Sequence, residues 1–364
     1  MMTPENLEDR QSRLIQAMRF PLIVLVLYVH SARPTDIPMQ WSLDGENVFR
    51  IVTEVFSHYI GGLSLCCFFF FSGFLFFHHV GDGNFGKEWV LQKWQRRVRS
   101  SGVPYLVWNM LYVVLIVLLS FFCSRIGISM SGDLTGAVSK GPLYWFITGP
   151  IDFPLWFLRN LIVLFLLAPV LYHPVMRFPW LSLACLLLLY LLPFSGRSVF
   201  LIPEASLFGA GAWMSIRKVN LLVFCRRCKV AAAMLAVVCL IITTGLYNSG
   251  YDNFFFLVFA PFGMVALVNL FDLLLNSDQS LKLLMKLAET SFFIFAAHEV
   301  FILGWTKGLF LRLMGETLAA RWIAYLFVPW VVLAVCLGLY YLLKRISPGF
   351  LSILCGFRNA SPVR

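Results

Sequence analysis

An arginine and a histidine stand eleven positions apart in the first apolar stretch of the chain, MRFPLIVLVLYVHSA: Arg19 and His30. At about 100° per residue, eleven steps come within about 20° of three full turns. An α-helix therefore projects both side chains from nearly one face, about 16 Å apart along its axis. Such a face offers a cation for a phosphate at one end and a titratable base at the other. Taken alone, the pair has two readings. Either it is chemical, or Arg19 snorkels to the lipid headgroups while His30 is an interfacial residue at the helix end.

Other ionisable residues fall in apolar runs, where charge is costly and tends to be functional. Arg159, in PLWFLRN, and Glu204 are expected in the outer halves of their spans, either paired with each other or lining an acceptor pocket. His298 and Glu299 are neighbours near mid-depth of a late span, and on a regular helix neighbours face different directions. His298 then assists His30, orients a substrate or makes a helix-packing hydrogen bond. Trp156, with Tyr144, Trp145 and Phe157, can stack on sugar rings or anchor at the interface. A basic run holds Lys87, Lys93, Arg96, Arg97 and Arg99. It suits a phosphate-bearing ligand, and equally an orientation signal or anionic lipid. Ser72-Gly73, after Phe68 to Phe71, is expected at a close helix contact, and His78 and His79 at a solvated span end.

The elements that must hold these residues follow from composition. Of 364 residues, 60% are hydrophobic and 13% charged, with mean hydropathy +0.81. A water-soluble protein carries about 25% charged residues. At roughly 20 apolar residues per span, ten spans are predicted: Leu14 to Ala32, Phe56 to Val80, Pro104 to Cys123, Leu155 to Tyr172, Pro179 to Phe194, Val199 to Ile216, Val230 to Tyr247, Phe254 to Leu275, Ala288 to Leu309 and Trp322 to Leu343. The fold class is thus all-α, a polytopic helix bundle, with residues 1–345 one transmembrane domain and 346–364 a short tail. No separate soluble catalytic domain fits, so any chemistry lies within or between helices. The first run is long enough to span and is followed by no clear cleavage site, so it is not expected to be a signal peptide.

Of the 29 Lys and Arg, twenty fall on the side holding the N-terminus, eight on the other, and Arg159 lies within a span. The positive-inside rule then makes both termini cytoplasmic, and the net charge of +11 reports orientation rather than a nucleic-acid partner. The connection Ser124 to Pro154, rich in Gly and aromatics, is an outer loop; at membrane depth it must dip into a protein-lined cavity, because lipid would leave its backbone groups unsatisfied. Nine cysteines, mostly in apolar runs, give no disulfide framework. The Cys225-x-x-Cys228 pair has no second pair to complete a zinc site, so no metal is expected. Residues 81–88, GDGNFGKE, miss the phosphate-loop pattern: Glu88 replaces the magnesium-binding hydroxyl and no strand precedes it.

Arginine and histidine eleven apart in a first span, then FFFFSGFLFF, KWQRRVRSSGVPYLVW, PLWFLRNLIV and SFFIFAAHEVF in that order, resemble the acyltransferase 3 family of integral membrane acyltransferases. The resemblance runs from Arg19 to about Phe301. It implies about ten helices and transfer of an acyl group, most often acetyl, to sugars of surface glycans or their precursors. By it, Arg19 and His30 correspond to the family's essential arginine and histidine. Pro21, shortly after the arginine, is a departure that can bend the helix. An extra extracytoplasmic hydrolase-like domain that some members carry is not present in the sequence.

The residue chemistry agrees. Acyl transfer from a thioester needs a base for the acceptor hydroxyl or a nucleophile to carry the acyl group, and histidine serves either way. An acyl-CoA donor, made in the cytoplasm and rich in phosphate, suits Arg19 with Lys93, Arg96, Arg97 and Arg99, and the 16 Å to His30 is comparable to an extended pantetheine arm. The expectation is an inner-membrane O-acyltransferase using acyl-CoA, foremost acetyl-CoA, as co-substrate and no bound cofactor. Its partners are the lipid bilayer and a glycan or glycolipid acceptor. A transporter or flippase is the alternative, although the two related halves common in secondary transporters are not visible; a non-catalytic scaffold leaves the buried charges unexplained.

Overall fold

A computed structural model describes residues 4–32, 42–78, 80, 85–125, 127, 132–192, 201–247, 249 and 251–357. His79, Arg33, Arg197 and residues 81–84 of the glycine-rich loop lie outside them. The described chain is helical throughout: α1 Pro4–Ser31, α2 Gly45–Thr53, α3 Gly61–Phe77, α4 Lys87–Arg97, α5 Val103–Arg125, α6 Gly132–Ser139, α7 Leu155–Arg177, α8 Pro179–Leu191, α9 Ile202–Ile216, α10 Leu221–Arg227, α11 Lys229–Gly245, α12 Asp252–Leu274, α13 Asp278–Ala288, α14 Ser291–Ala297, α15 Gly304–Met314, α16 Leu318–Ile346 and α17 Pro348–Leu354. Wider π-turns join α2 to α3 (Glu54–Ile60), α4 to α5 (Val98–Gly102) and α14 to α15 (His298–Leu303).

Among the described residues, seven helices are long and apolar enough to cross a membrane, or eight if α10 and α11, bent by 73°, form one span. This is the expected all-α membrane bundle; among the described residues the fifth and sixth predicted spans hold the shorter helices α8 and α9. At about 1.5 Å per residue, the 13 residues of α8 and 15 of α9 do not reach across a hydrocarbon core of about 30 Å. The second span, by contrast, is longer than its apolar run, because amphipathic α2 feeds into α3 and makes Gly45–Phe77 one 33-residue element.

Helix α1 is the hub. Leu14, Ile15, Met18, Leu22, Ile23 and Leu27 are all buried on it, and it packs on α3, α13, α14 and α16. Pro21 lies inside it without ending it. Proline removes one backbone donor and clashes with the carbonyl four residues back, yet neighbours on every side hold the helix in place. At its N-terminal end Arg10 and Arg226 both bind Asp272, at 3.2 and 2.7 Å, tying α1, α10 and α12 together. The expected close contact at Ser72-Gly73 is present: a Cβ on Gly73 would overlap the Phe208 carbonyl, and one on Gly211 the Phe70 carbonyl, so α3 and α9 touch backbone to backbone. Cys225 is buried in the core beside α1, and Cys228 marks the break between α10 and α11.

Past residue 345 the chain folds back. Leu351 and Leu354 of α17 and Cys355 just after it are buried, and the Trp108 indole of α5 donates to the Leu354 carbonyl at 3.1 Å. The segment read as the start of a tail is thus packed on the bundle as far as Cys355.

Candidate active site

His30 sits one residue before the end of α1, where the π-turn His298–Leu303 comes alongside. Its Nδ1 donates to Oε1 of Glu299 at 3.2 Å. That bond places the ring proton on Nδ1 and leaves Nε2 with a free lone pair. The ring of His298 lies 5.1 Å away at 63°. His298 Nδ1 donates to the carbonyls of Phe295 (2.8 Å) and Ile294 (3.1 Å), which can only accept, so its Nε2 is also bare. That Nε2 is buried and, among the described residues, has no hydrogen-bond partner; the same holds for Oε2 of Glu299.

The expectation that His298 and Glu299 face apart does not hold. A regular helix separates neighbours by about 100°. Here α14 ends at Ala297 and a wider π-turn carries both residues, so that both reach His30. Such turns occur frequently at functional sites. The helix-packing hydrogen bond considered for His298 is also absent among the described residues, its Nδ1 bonding within its own helix instead. The three side chains offer ligand atoms within 4.8 Å of one another, a donor set compatible with a divalent cation.

Arg19 lies on the same helix nearer its N-terminus. It lines a cavity of about 250 Å³ together with Gln16, Ser72, Arg97 and Glu289. Among the described residues neither guanidinium has an ion-pair partner, so two cations face one space. The cavity wall continues along Ile23, Phe68 and Phe157 to Phe295, whose carbonyl holds His298. Arg97 stacks on the Phe165 ring at 4.3 Å, which fixes its planar head. The rest of the basic run is elsewhere: Arg96 and Arg99 are exposed, and Lys93 lies over Trp89 with its ammonium 3.5 Å from the His78 carbonyl.

Arg159 and Glu204 do not pair. Arg159 donates to the carbonyls of Ile147 (3.0 Å) and Thr148 (2.5 Å) and to Asn160 Oδ1 (3.1 Å), and so pins the outer loop. Glu204 opens α9 and makes no ion pair among the described residues. Trp156 packs against the α3–α7–α9 core, separate from the cluster around His30. A larger cavity, about 440 Å³, between α3, α8, α9 and α12, is walled almost wholly by apolar side chains.

Three residues escaped the sequence reading. Lys307 of α15 donates to the His30 carbonyl at 2.6 Å. Glu54 is buried, hydrogen-bonded to His58 at 2.5 Å and accepting from the Tyr247 hydroxyl at 2.9 Å. Both line a second cavity of about 420 Å³ at the C-terminal end of α1, with Glu46, Arg50, Arg321 and Tyr325. The third is Asp152, which is fully buried in the outer loop. The available signal was an ionisable residue just before a predicted span for Glu54 and one within the last turn of a predicted span for Lys307.

A bundle of membrane helices with a histidine paired to a carboxylate inside it defines a class: a multi-pass membrane protein with ionisable side chains held together within the bundle. The acyltransferase domain model of the acyltransferase 3 family matches residues 14–341, and the chain belongs to that family. It is 26% identical, over 96% of its length and 93% of the relative's, to the succinoglycan biosynthesis protein ExoH of Rhizobium meliloti. No solved structure matches it.

Proposed function

We propose that the protein is an O-acyltransferase of the inner membrane that moves an acyl group from cytoplasmic acyl-CoA to a sugar hydroxyl of a polysaccharide or its lipid-linked precursor. The observation that carries this reading is the His30–Glu299 pair, a base with its tautomer set by a carboxylate. Kinship with a succinoglycan biosynthesis protein supports a glycan acceptor.

The donor's phosphates bind Arg19 and Arg97, and the pantetheine arm follows the apolar wall past Phe157 and Phe295 to His30. The acceptor enters through the cavity lined by Glu46, Arg50 and Lys307, whose mixed charges and Tyr325 suit a hydroxyl-rich ligand. Nε2 of His30 removes the hydroxyl proton as the oxygen attacks the thioester carbon. Glu299 stabilises the imidazolium that forms. The tetrahedral adduct collapses, the carbon–sulfur bond breaks, and the thiolate takes the proton back from His30. His298, with its bare Nε2, accepts a hydrogen bond from the entering sugar and orients it. Lys307 on the His30 carbonyl holds the end of α1 in register.

The test is incubation of purified protein with labelled acetyl-CoA and succinyl-CoA and candidate glycan acceptors, comparing wild type with His30→Ala and Arg19→Ala. Transfer by wild type and loss in both variants is expected. Wild type that consumes neither donor would reject the reading, and undiminished turnover by His30→Ala would reject the role of that histidine.

A further inference from the structure

The outer loop enters the bundle at Ile151 to Phe153. The Ile151 amide donates to Oδ1 of Asn109 at 3.0 Å, and Asn109, itself fully buried, is anchored by its amide to the Tyr105 carbonyl. Ile151 packs in one cluster with Tyr112, Ala296, Ala297 and Phe301, the residues that flank His298 and Glu299. On its other side, Phe153 sets its ring edge-on to His30 with centroids 6.4 Å apart. Asp152 lies between these two neighbours. It is 0% exposed, and among the described residues neither carboxyl oxygen has a hydrogen-bond partner.

An unpartnered buried carboxyl is expensive, and a charged one more so. Burial, with the Glu299 carboxylate acting through space, pushes the Asp152 carboxyl well above the usual carboxylate range and so favours its protonated form. A neutral carboxyl in an apolar site is a hydrogen-bond donor. The N–H donors of the neighbouring cluster are already engaged, and its unpartnered atoms among the described residues, Nε2 of His298 and Oε2 of Glu299, are acceptors. Acyl transfer needs a donor as well, because the thioester carbonyl becomes an oxyanion when the hydroxyl adds.

We propose that Asp152 is a catalytic residue of this acyl transfer, its carboxyl O–H donating to the oxyanion of the tetrahedral adduct. This rests on the acyltransferase reading above. As the acceptor oxygen bonds to the thioester carbon, the carbonyl electron pair moves onto oxygen and is held there by the Asp152 O–H. When the pair returns, the carbon–sulfur bond breaks, and Asp152 retains its proton throughout.

Two near-isosteric variants of the full-length protein test this. Asp152→Asn keeps a donor and should hold kcat within about tenfold of wild type. Asp152→Leu removes it and should lower kcat by about 10²- to 10³-fold, with KM for acetyl-CoA or succinyl-CoA unchanged. Exchanging an unsatisfied buried polar group for an apolar one of similar shape is neutral or stabilising, so the Tm of Asp152→Leu should equal or exceed that of wild type. A Leu variant as active as wild type, an Asn variant as impaired as Leu, or a lowered Tm with a proportionate loss of activity each overturns the assignment. Wild type that uses neither donor would instead overturn the functional reading and this role together.

Discussion

His30, at the end of the first span, and Glu299, in a π-turn of a late one, meet with Nδ1 and Oε1 3.2 Å apart. In the reaction proposed above, the carboxylate has the part of the third residue in a nucleophile–base pair: fixing which nitrogen carries the proton and supporting the cation formed on proton uptake. Glu299→Gln keeps the shape and loses the charge. It should lower kcat by about 10²- to 10⁴-fold with little change in KM for the acyl donor, measured in steady-state transfer assays. A Gln variant with wild-type kcat would mean that Glu299 only packs against the histidine.

Arg19 and Arg97 face one cavity and neither is in an ion pair among the described residues, and the expected contribution is grip on the donor's phosphates. Arg19→Ala and Arg97→Ala should each raise KM for acetyl-CoA about tenfold or more, the equivalent of about 1.4 kcal/mol. The same variants assayed with acetyl-pantetheine, which lacks the nucleotide phosphates, should match wild type. A defect of equal size with both donors would place these arginines in folding or chemistry instead.

Much of this site is legible in the sequence, because Arg19 and His30 share one helix and α-helical geometry alone aligns them. What is not legible depends on departures from regular geometry. His298 and Glu299 converge only because the helix widens at His298, and nothing in SFFIFAAHEVF announces a π-turn. Nothing around Asp152 in the sequence singles it out; its loop is drawn inward at Ile151 by Asn109, more than forty residues earlier. Composition shows a membrane bundle; among the described residues the fifth and sixth apolar runs form the 13- and 15-residue helices α8 and α9. Of the basic run, only Arg97 lines the cavity with Arg19, since a helix points just one residue per turn in any direction.

Two imidazoles and a carboxylate within 4.8 Å also resemble a metal site, and the acid–base reading makes a distinct prediction. With His30 Nδ1 donating to Glu299, these side chains act by moving protons, so EDTA or phenanthroline should leave the transfer rate unchanged. Elemental analysis of the purified protein should find well under one equivalent of zinc, manganese or iron. Stoichiometric metal together with chelator-sensitive activity would reassign the cluster as a metal centre.

At the opposite end of α1, Asp278 begins α13 and binds Lys282 at 2.9 Å and Arg13 of α1 at 2.6 Å. The Lys282 ammonium, followed by the Arg13 guanidinium, holds the Asp278 carboxyl below its ordinary value. In the unfolded chain the group titrates near its usual pKa of about 3.9, so the unfolded state takes up the proton first as pH falls. The contribution to stability is therefore fully present above that pH and is lost as pH drops through the lower pKa of the folded protein. The group is exposed, which keeps the effect small and salt-sensitive. In detergent at low ionic strength, the Tm of wild type should fall more between pH 7 and pH 3 than that of Asp278→Asn, and the difference should shrink in molar salt. Parallel decline of the two proteins at low salt would show that this link between α1 and α13 carries no pH-dependent stability.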